Sequence, residues 1–210
     1  MRVIAIDGPA GSGKSTVARA LAERLGLDYL DTGAMYRSVA FAAIQRRIDP
    51  EDADAVGALA ETVEIKVADA VTVDGVDATL EIRGPEVTRA VSVVAANPAV
   101  RKEMVQRQRE WAAAHGGGVV EGRDIGTVVF PDAELKVFLT ARDDERARRR
   151  SQEVLDLDYD EVAAAIAKRD YLDSTRAASP LTRAPDAVEI DTSSLTVEEI
   201  VEQVMRRLAA

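Results

Sequence analysis

Gly8-Pro9-Ala10-Gly11-Ser12-Gly13-Lys14-Ser15 follows a short apolar run, Val3 to Ile6, and precedes a helical pattern with Val17, Leu21 and Leu25 on one face. The spacing is G-x-x-x-x-G-K-[ST], between a strand and a helix as that motif requires. Its glycines let the backbone curl so that successive N–H groups face one anion. The helix amino terminus adds positive partial charge. Lys14 brings a mobile ammonium for the β- and γ-phosphates, and the Ser15 hydroxyl is a candidate Mg²⁺ ligand. Gly8, Pro9, Ala10, Gly11, Ser12, Gly13, Lys14, Ser15 and Thr16 are therefore the expected ATP-binding set, with Mg²⁺ as the accompanying ion. A guanine-specific site is disfavoured, because none of the five lysines follows Asn or Thr.

A second group of residues suits a second phosphate. Arg37 follows Asp31-Thr-Gly-Ala-Met-Tyr36. Arg123 lies in Glu121-Gly-Arg-Asp124 at the end of an apolar run, and Arg169 and Arg176 bracket Asp170 and Asp173. A guanidinium fork binds phosphate oxygens bidentately, and phosphoryl transfer between two anions needs such charge. Taken singly, each arginine reads as a solvated surface residue. Their shared placement beside strand ends and turns is what argues for a site. Arg142 to Arg150 holds five arginines. It reads either as a solvated helix face paired with Asp143, Asp144 and Glu145 or as a lid over the ATP phosphates, with Arg146, Arg149 and Arg150 as candidates.

The elements that must position these residues follow from periodicity and punctuation. Strands are expected at Val3–Ile6, Tyr29–Leu30, Gly118–Glu121, Leu135–Leu139 and Ala187–Asp191, alternating with helices. That order implies a parallel sheet covered on both faces, with ligands at the carboxyl ends of its strands. Helices are expected from Lys14, over Ala34–Gln45, from Asp49-Pro50, over Pro85–Ala96 and from Pro98 to about His115. Asp143–Leu172 reads as mostly helical with a break near Leu155–Tyr159, and Thr196 with Glu199 forms a capping box for a last helix. Between residues 63 and 82 the period changes to two. Val63–Val67, Val71–Val73 and Ala78–Ile82 read as strands, with Asp74-Gly75 as a hairpin turn. This unit is too small to bury its own core and reads as an insertion.

Asp31-Thr-Gly-Ala-Met-Tyr-Arg37, Gly122-Arg-Asp-Ile-Gly-Thr-Val-Val-Phe-Pro-Asp132 and Arg169-Asp-Tyr-Leu-Asp-Ser-Thr-Arg176 with Ser179-Pro-Leu181 together resemble bacterial cytidylate kinases over essentially the whole chain. The resemblance implies an α/β P-loop fold in three layers. It has a parallel five-stranded sheet, a small antiparallel insertion on the monophosphate side and a helical lid. One domain, 1–210, would comprise a core of about 1–45, 116–145 and 177–210, an insertion of about 50–100 and a lid of about 146–160. It implies phosphoryl transfer from ATP to CMP, and to dCMP as a second substrate, giving ADP and CDP. By resemblance Arg37, Arg123 and Arg176 hold the acceptor phosphate, with Lys14, Arg123 and Arg176 as the catalytic charges. Ser92, Arg101 and Asp124 read the cytosine edge, and Arg169 and Asp173 contact the sugar hydroxyls. Thr32, where some members carry serine, keeps a substrate-side hydroxyl.

Composition narrows the alternatives. Net charge is -10 over 210 residues, a poor match for a nucleic-acid ligand. With no cysteine and only His115, neither a disulfide framework nor a His- or thiolate-based zinc site is available. No apolar run reaches the roughly 20 residues of a membrane span, and the amino terminus lacks a signal-peptide pattern. A cytoplasmic monomer is the expectation. On the residues alone two other readings stay open: a P-loop kinase for a different small acceptor, and a nucleotide-binding regulator without turnover.

Overall fold

The computed structural model describes residues 1–153 and 158–209. Part of the expected helix break near Leu155–Tyr159, and of the expected lid 146–160, lies at 154–157, outside the described residues. In chain order the elements begin β1 (Arg2–Asp7), α1 (Lys14–Leu25), β2 (Tyr29–Asp31), α2 (Thr32–Gln45) and α3 (Ala53–Thr62). Then come β3 (Ile65–Val67), β4 (Val71–Val73), β5 (Val76–Asp77), α4 (Pro85–Ala96) and α5 (Pro98–Ala114). The chain ends with β6 (Gly117–Gly122), β7 (Leu135–Thr140), α6 (Asp143–Glu153), α7 (Tyr159–Thr175), β8 (Val188–Asp191) and α8 (Val197–Leu208). These fall into two compact units, Met1–Tyr29 with His115–Ala210, and Leu30–Ala114.

The first unit holds β6, β1, β7 and β8 of the five-stranded sheet, whose order is β2-β6-β1-β7-β8. β1 runs parallel to β6 on one side and to β7 on the other, and β7 parallel to β8. β1 is buried from Val3 to Asp7, as its unbroken apolar run requires of a central parallel strand. Ile4, Ile6, Val119, Val137 and Leu139 pack with Val17 and Leu21 of α1 and Ile200, Val201 and Val204 of α8. Each such aliphatic side chain, removed from water, contributes roughly 1.5–3 kcal/mol. α1 stops at Gly26, whose left-handed backbone closes the last turn onto Ala22 and Glu23. The capping box of Thr196 and Glu199 starts α8 as the sequence indicates, and Asp158 with Glu161 forms another at the start of α7.

The second unit packs α2 to α5 with the three-stranded sheet β3-β4-β5. Asp74 (φ 51) and Gly75 (φ 79) take the two left-handed positions of the hairpin turn that their sequence predicts. Two expectations are corrected here. The third helix starts at Ala53, because the Asp52 carboxylate, not Asp49, caps it by accepting from Ala55 N. Asp49 forms only a turn ahead of it, accepting from Glu51 N. Ala78–Ile82 is not a strand. Asp77 accepts from both the N–H and the hydroxyl of Thr79. The chain then turns into a single 3₁₀ turn, Glu81–Arg83. Local side-chain bonding competes with the ladder at that point.

Candidate active site

The phosphate loop joins β1 to α1. Gly8 has φ 151, and a Cβ there would lie 2.1 Å from the Leu139 carbonyl oxygen, so no other residue fits. Ser12 Oγ donates to the Pro9 carbonyl at 3.0 Å, holding the curl. Lys14 Nζ donates to the same carbonyl at 2.7 Å. Ser15 and Thr16 are exposed at the start of α1.

Lys14 is buried, and its ammonium is pushed down to about 7. Burial is the main cause; Arg123 and Arg169 add to it, against the opposing pull of Glu121 and Asp7. Phosphate oxygens brought against Lys14 would favour its charged form and oppose that shift. Arg169 is likewise lowered to about 10, first by burial and then by Arg123.

Asp173 on α7 is the hub of the arginines. Arg123 Nε donates to its Oδ2 at 2.9 Å, Arg169 Nε lies 3.9 Å from that oxygen, and Arg176 Nη1 lies 3.8 Å from Oδ1. Burial pushes the Asp173 carboxyl up, but Arg123, Arg169 and Arg176 outweigh it and hold it below the usual value. Arg169 and Asp173 fall on one side of α7 by helical spacing, and Arg176 follows at its carboxyl end. Arg176 also lies 3.8 Å from Asp124 and donates to the Ser179 carbonyl at 2.7 Å. The structure thus gathers Lys14, Arg123, Asp124, Arg169, Asp173 and Arg176 within the first unit, and the Arg176 side chain is only 5% exposed. That burial argues against the solvated-surface reading.

Asp124 precedes a π-helical turn, Ile125–Val129, and its side chain makes no cap bond to it. Single π turns of this kind recur at functional sites. The turn's first two N–H groups are taken by Asp7, at the end of β1. Oδ1 accepts from Ile125 N and Oδ2 from Gly126 N, each at 2.8 Å. Burial pushes the Asp7 carboxyl up to about 6, against the two N–H bonds that favour its charged form.

In the second unit, Asp31 caps α2 by accepting from Ala34 N at 3.0 Å, which places the buried Thr32 at the helix start. Arg37 is buried and donates to the Ile82 carbonyl at 3.1 Å and to Thr88 Oγ1 at 3.0 Å. Arg101, also buried, donates to the Ala95 carbonyl at 3.2 Å and lies over the Tyr36 ring, 5.4 Å from its centroid. Ser92 is half-buried on α4.

The arginines of α6 take different stations. Arg146 donates to the Ala10 carbonyl at 3.0 Å and pairs with Asp143 and Asp170. Asp170 in turn accepts from Ala10 N at 3.0 Å, so α6 and α7 grip both sides of one loop residue. Arg149 donates to the hydroxyl and carbonyl of Thr192 at 2.9 and 2.7 Å. It borders a cavity of about 440 Å³ with Ser12, Gly13, Thr16, Thr192 and Leu195. Arg150 is half-buried and acts electrostatically on Arg169.

Several residues of this site carry no signal in the sequence that assigns them. Asp7 is legible only as a lone acid ending an apolar strand. Glu121, buried on β6, accepts from the Tyr29 hydroxyl and pulls on Lys14. Asp170 and Thr192 reach the phosphate loop from far along the chain.

For a metal ion, the exposed Ser15 hydroxyl and the Glu121 carboxylate are oxygen donors of the hard type that Mg²⁺ takes. Among the described residues no group of three His, Cys, Asp or Glu could hold an ion alone.

The family described as cytidylate kinase matches residues 4–210. The chain is 51% identical over 211 residues to the cytidylate kinase of Mycobacterium avium, covering 96% of this chain and 92% of the relative. It is 52% identical over 218 residues to that of Pelotomaculum thermopropionicum, covering 99% and 96%. A gluconokinase structure from Sinorhizobium meliloti superposes with a TM-score of 0.51 at 16% identity, covering 99% of this chain and 91% of that one, and supports the fold alone. With a phosphate loop, an arginine cluster around Asp173 and a match from residue 4 to residue 210, the chain belongs to the cytidylate kinase family.

Proposed function

We propose that the chain transfers the γ-phosphoryl group of ATP to the phosphate of CMP, giving ADP and CDP, with dCMP as a second acceptor. The observation that carries this reading is the cluster of Arg123, Arg169 and Arg176 around one buried carboxylate in the same unit as the phosphate loop. Guanidinium groups gathered in this way suit bidentate binding of an acceptor phosphate.

The nucleophile is an oxygen of the CMP phosphate. Its second pKa is about 6, so at neutral pH it is already largely deprotonated and needs no general base. Gly8 to Thr16 holds the ATP phosphates, and Lys14 stabilises charge as it moves onto the transferring group. The cavity beside Arg149 and Thr192 suits the adenine base. Mg²⁺ would be held by the Ser15 hydroxyl together with phosphate oxygens and water, and would supply neutralisation of phosphate charge. Arg37, Arg123 and Arg176 hold the acceptor phosphate. Arg101, Ser92 and Asp124 read the base, Arg169 and Asp173 the sugar, and Thr32 adds a hydroxyl on the acceptor side. Arg146 fastens the helices at Ala10, while Arg150 adds to the field around Arg169.

Hydrogen exchange tests the division of labour. ATP should slow exchange over residues 8–16. CMP should slow it over 63–97 and 169–176. Protection of 63–97 by ATP alone, with none from CMP, would contradict the assignment.

A further inference from the structure

We infer that Asp7 is a positioning residue for base recognition: it caps the π-helical turn after Asp124 from a neighbouring strand and so sets where Asp124 stands toward the acceptor nucleotide. The inference rests on the reading of Asp124 as a base-contacting residue. A helix-start aspartate ordinarily spends its carboxylate on the N–H groups of its own first turn. Asp124 occupies that place, before Ile125, yet makes no such bond. The Ile125 and Gly126 N–H groups are satisfied instead by the two oxygens of Asp7, each at 2.8 Å. Both oxygens are committed, and the residue is 5% exposed, so no water replaces it cheaply.

The backbone dictates this exchange. Asp7 is opposite Gly122 in the β1–β6 register, one residue from Arg123. A single short carboxylate at the end of β1 therefore fixes where β6 ends and where Arg123 and Asp124 begin. It does so immediately before Gly8, so the donor loop and the acceptor-reading turn share one anchor. Without Asp7, two buried N–H groups lose their acceptor. The turn then loses the anchor that sets where Asp124 stands.

Asp7→Asn is the direct test, since the amide keeps the shape but offers one acceptor and presents an N–H to the other donor. The expected result is a loss of about tenfold in kcat/KM for CMP, carried mostly by KM, with KM for ATP within about twofold. The CMP/UMP ratio of kcat/KM should fall as well. Adding Asp7→Asn to Asp124→Ala should lower that ratio no further, because both act through one carboxylate. Asp7→Ser, whose shorter side chain leaves both N–H groups without their acceptor, should lose at least as much as Asp7→Asn. If Asp124→Ala shifts the ratio and the folded Asp7 variants leave it unchanged, the positioning role is overturned while base reading stands. If Asp124→Ala itself leaves the ratio unchanged, base reading fails first. Failure of both Asp7 variants to fold would also overturn the inference, by showing that the residue serves the fold.

Discussion

Lys14→Met should lower kcat by about 10³-fold, with the fold intact, because a preorganised charge aimed at the transferring phosphoryl group is removed while its bulk is kept. Lys14 sits at the end of a loop whose curl is held by Gly8, by Ser12 and by the sheet beneath it, so that the bond of Lys14 to the Pro9 carbonyl is only one of several ties. The unliganded protein should in fact become more stable. The folded ammonium is pushed down to about 7, well below its ordinary 10.5, by burial and by Arg123 and Arg169. A base whose folded pKa is depressed destabilises the fold fully below that pKa, and the penalty fades as pH rises toward the unfolded value. The Tm of the unliganded variant should therefore exceed the parent's at pH 6.5, and the gap should shrink by pH 9.5. Near-normal turnover by the folded variant would sink the phosphate-loop assignment. A variant whose Tm falls by the same amount at both pH values would contradict the electrostatic account.

Asp124→Ala should cut kcat/KM for CMP by roughly 10- to 100-fold, the loss of one hydrogen bond with a charged partner at about 1.5–3 kcal/mol. UMP should suffer less. Cytosine presents an exocyclic amine where uracil presents a carbonyl, and a carboxylate accepts from the first and repels the second. The CMP/UMP ratio should therefore fall. The competing role is structural: Asp124 lies 3.8 Å from Arg176 and could serve only to hold that arginine. In that case both acceptors would lose activity equally, and an unchanged ratio would refute base reading.

What could be read without coordinates was local. The phosphate loop, the capping box at Thr196 and the turn at Asp74-Gly75 each depend on neighbours within a few residues, so their residue types were sufficient. The start of the third helix was misplaced because Asp49-Pro50 and Asp52 offer the same kind of signal three residues apart, and only the bond from Ala55 N separates them. Ala78 and Ile82 carry the apolar spacing of a strand, but they are buried from a turn that Asp77 and Thr79 impose. The site was legible as a set of arginines and carboxylates, not as a geometry. Arg37, Arg101 and Arg176 resemble solvated residues by type and are buried in fact. Asp7 and Asp170 gain their meaning from partners 118 and 160 residues away. Pairings at that range are set by sheet register and helix packing, which no local pattern contains.

The central claim is the acceptor, and ADP release measured across a panel of acceptors tests it most directly. With ATP and Mg²⁺ present, CMP should give the fastest release, dCMP should follow, UMP should be slower, and AMP and shikimate should stay at background. Release driven equally well by AMP or shikimate, or tight ATP binding with no CMP-dependent release, would contradict the account.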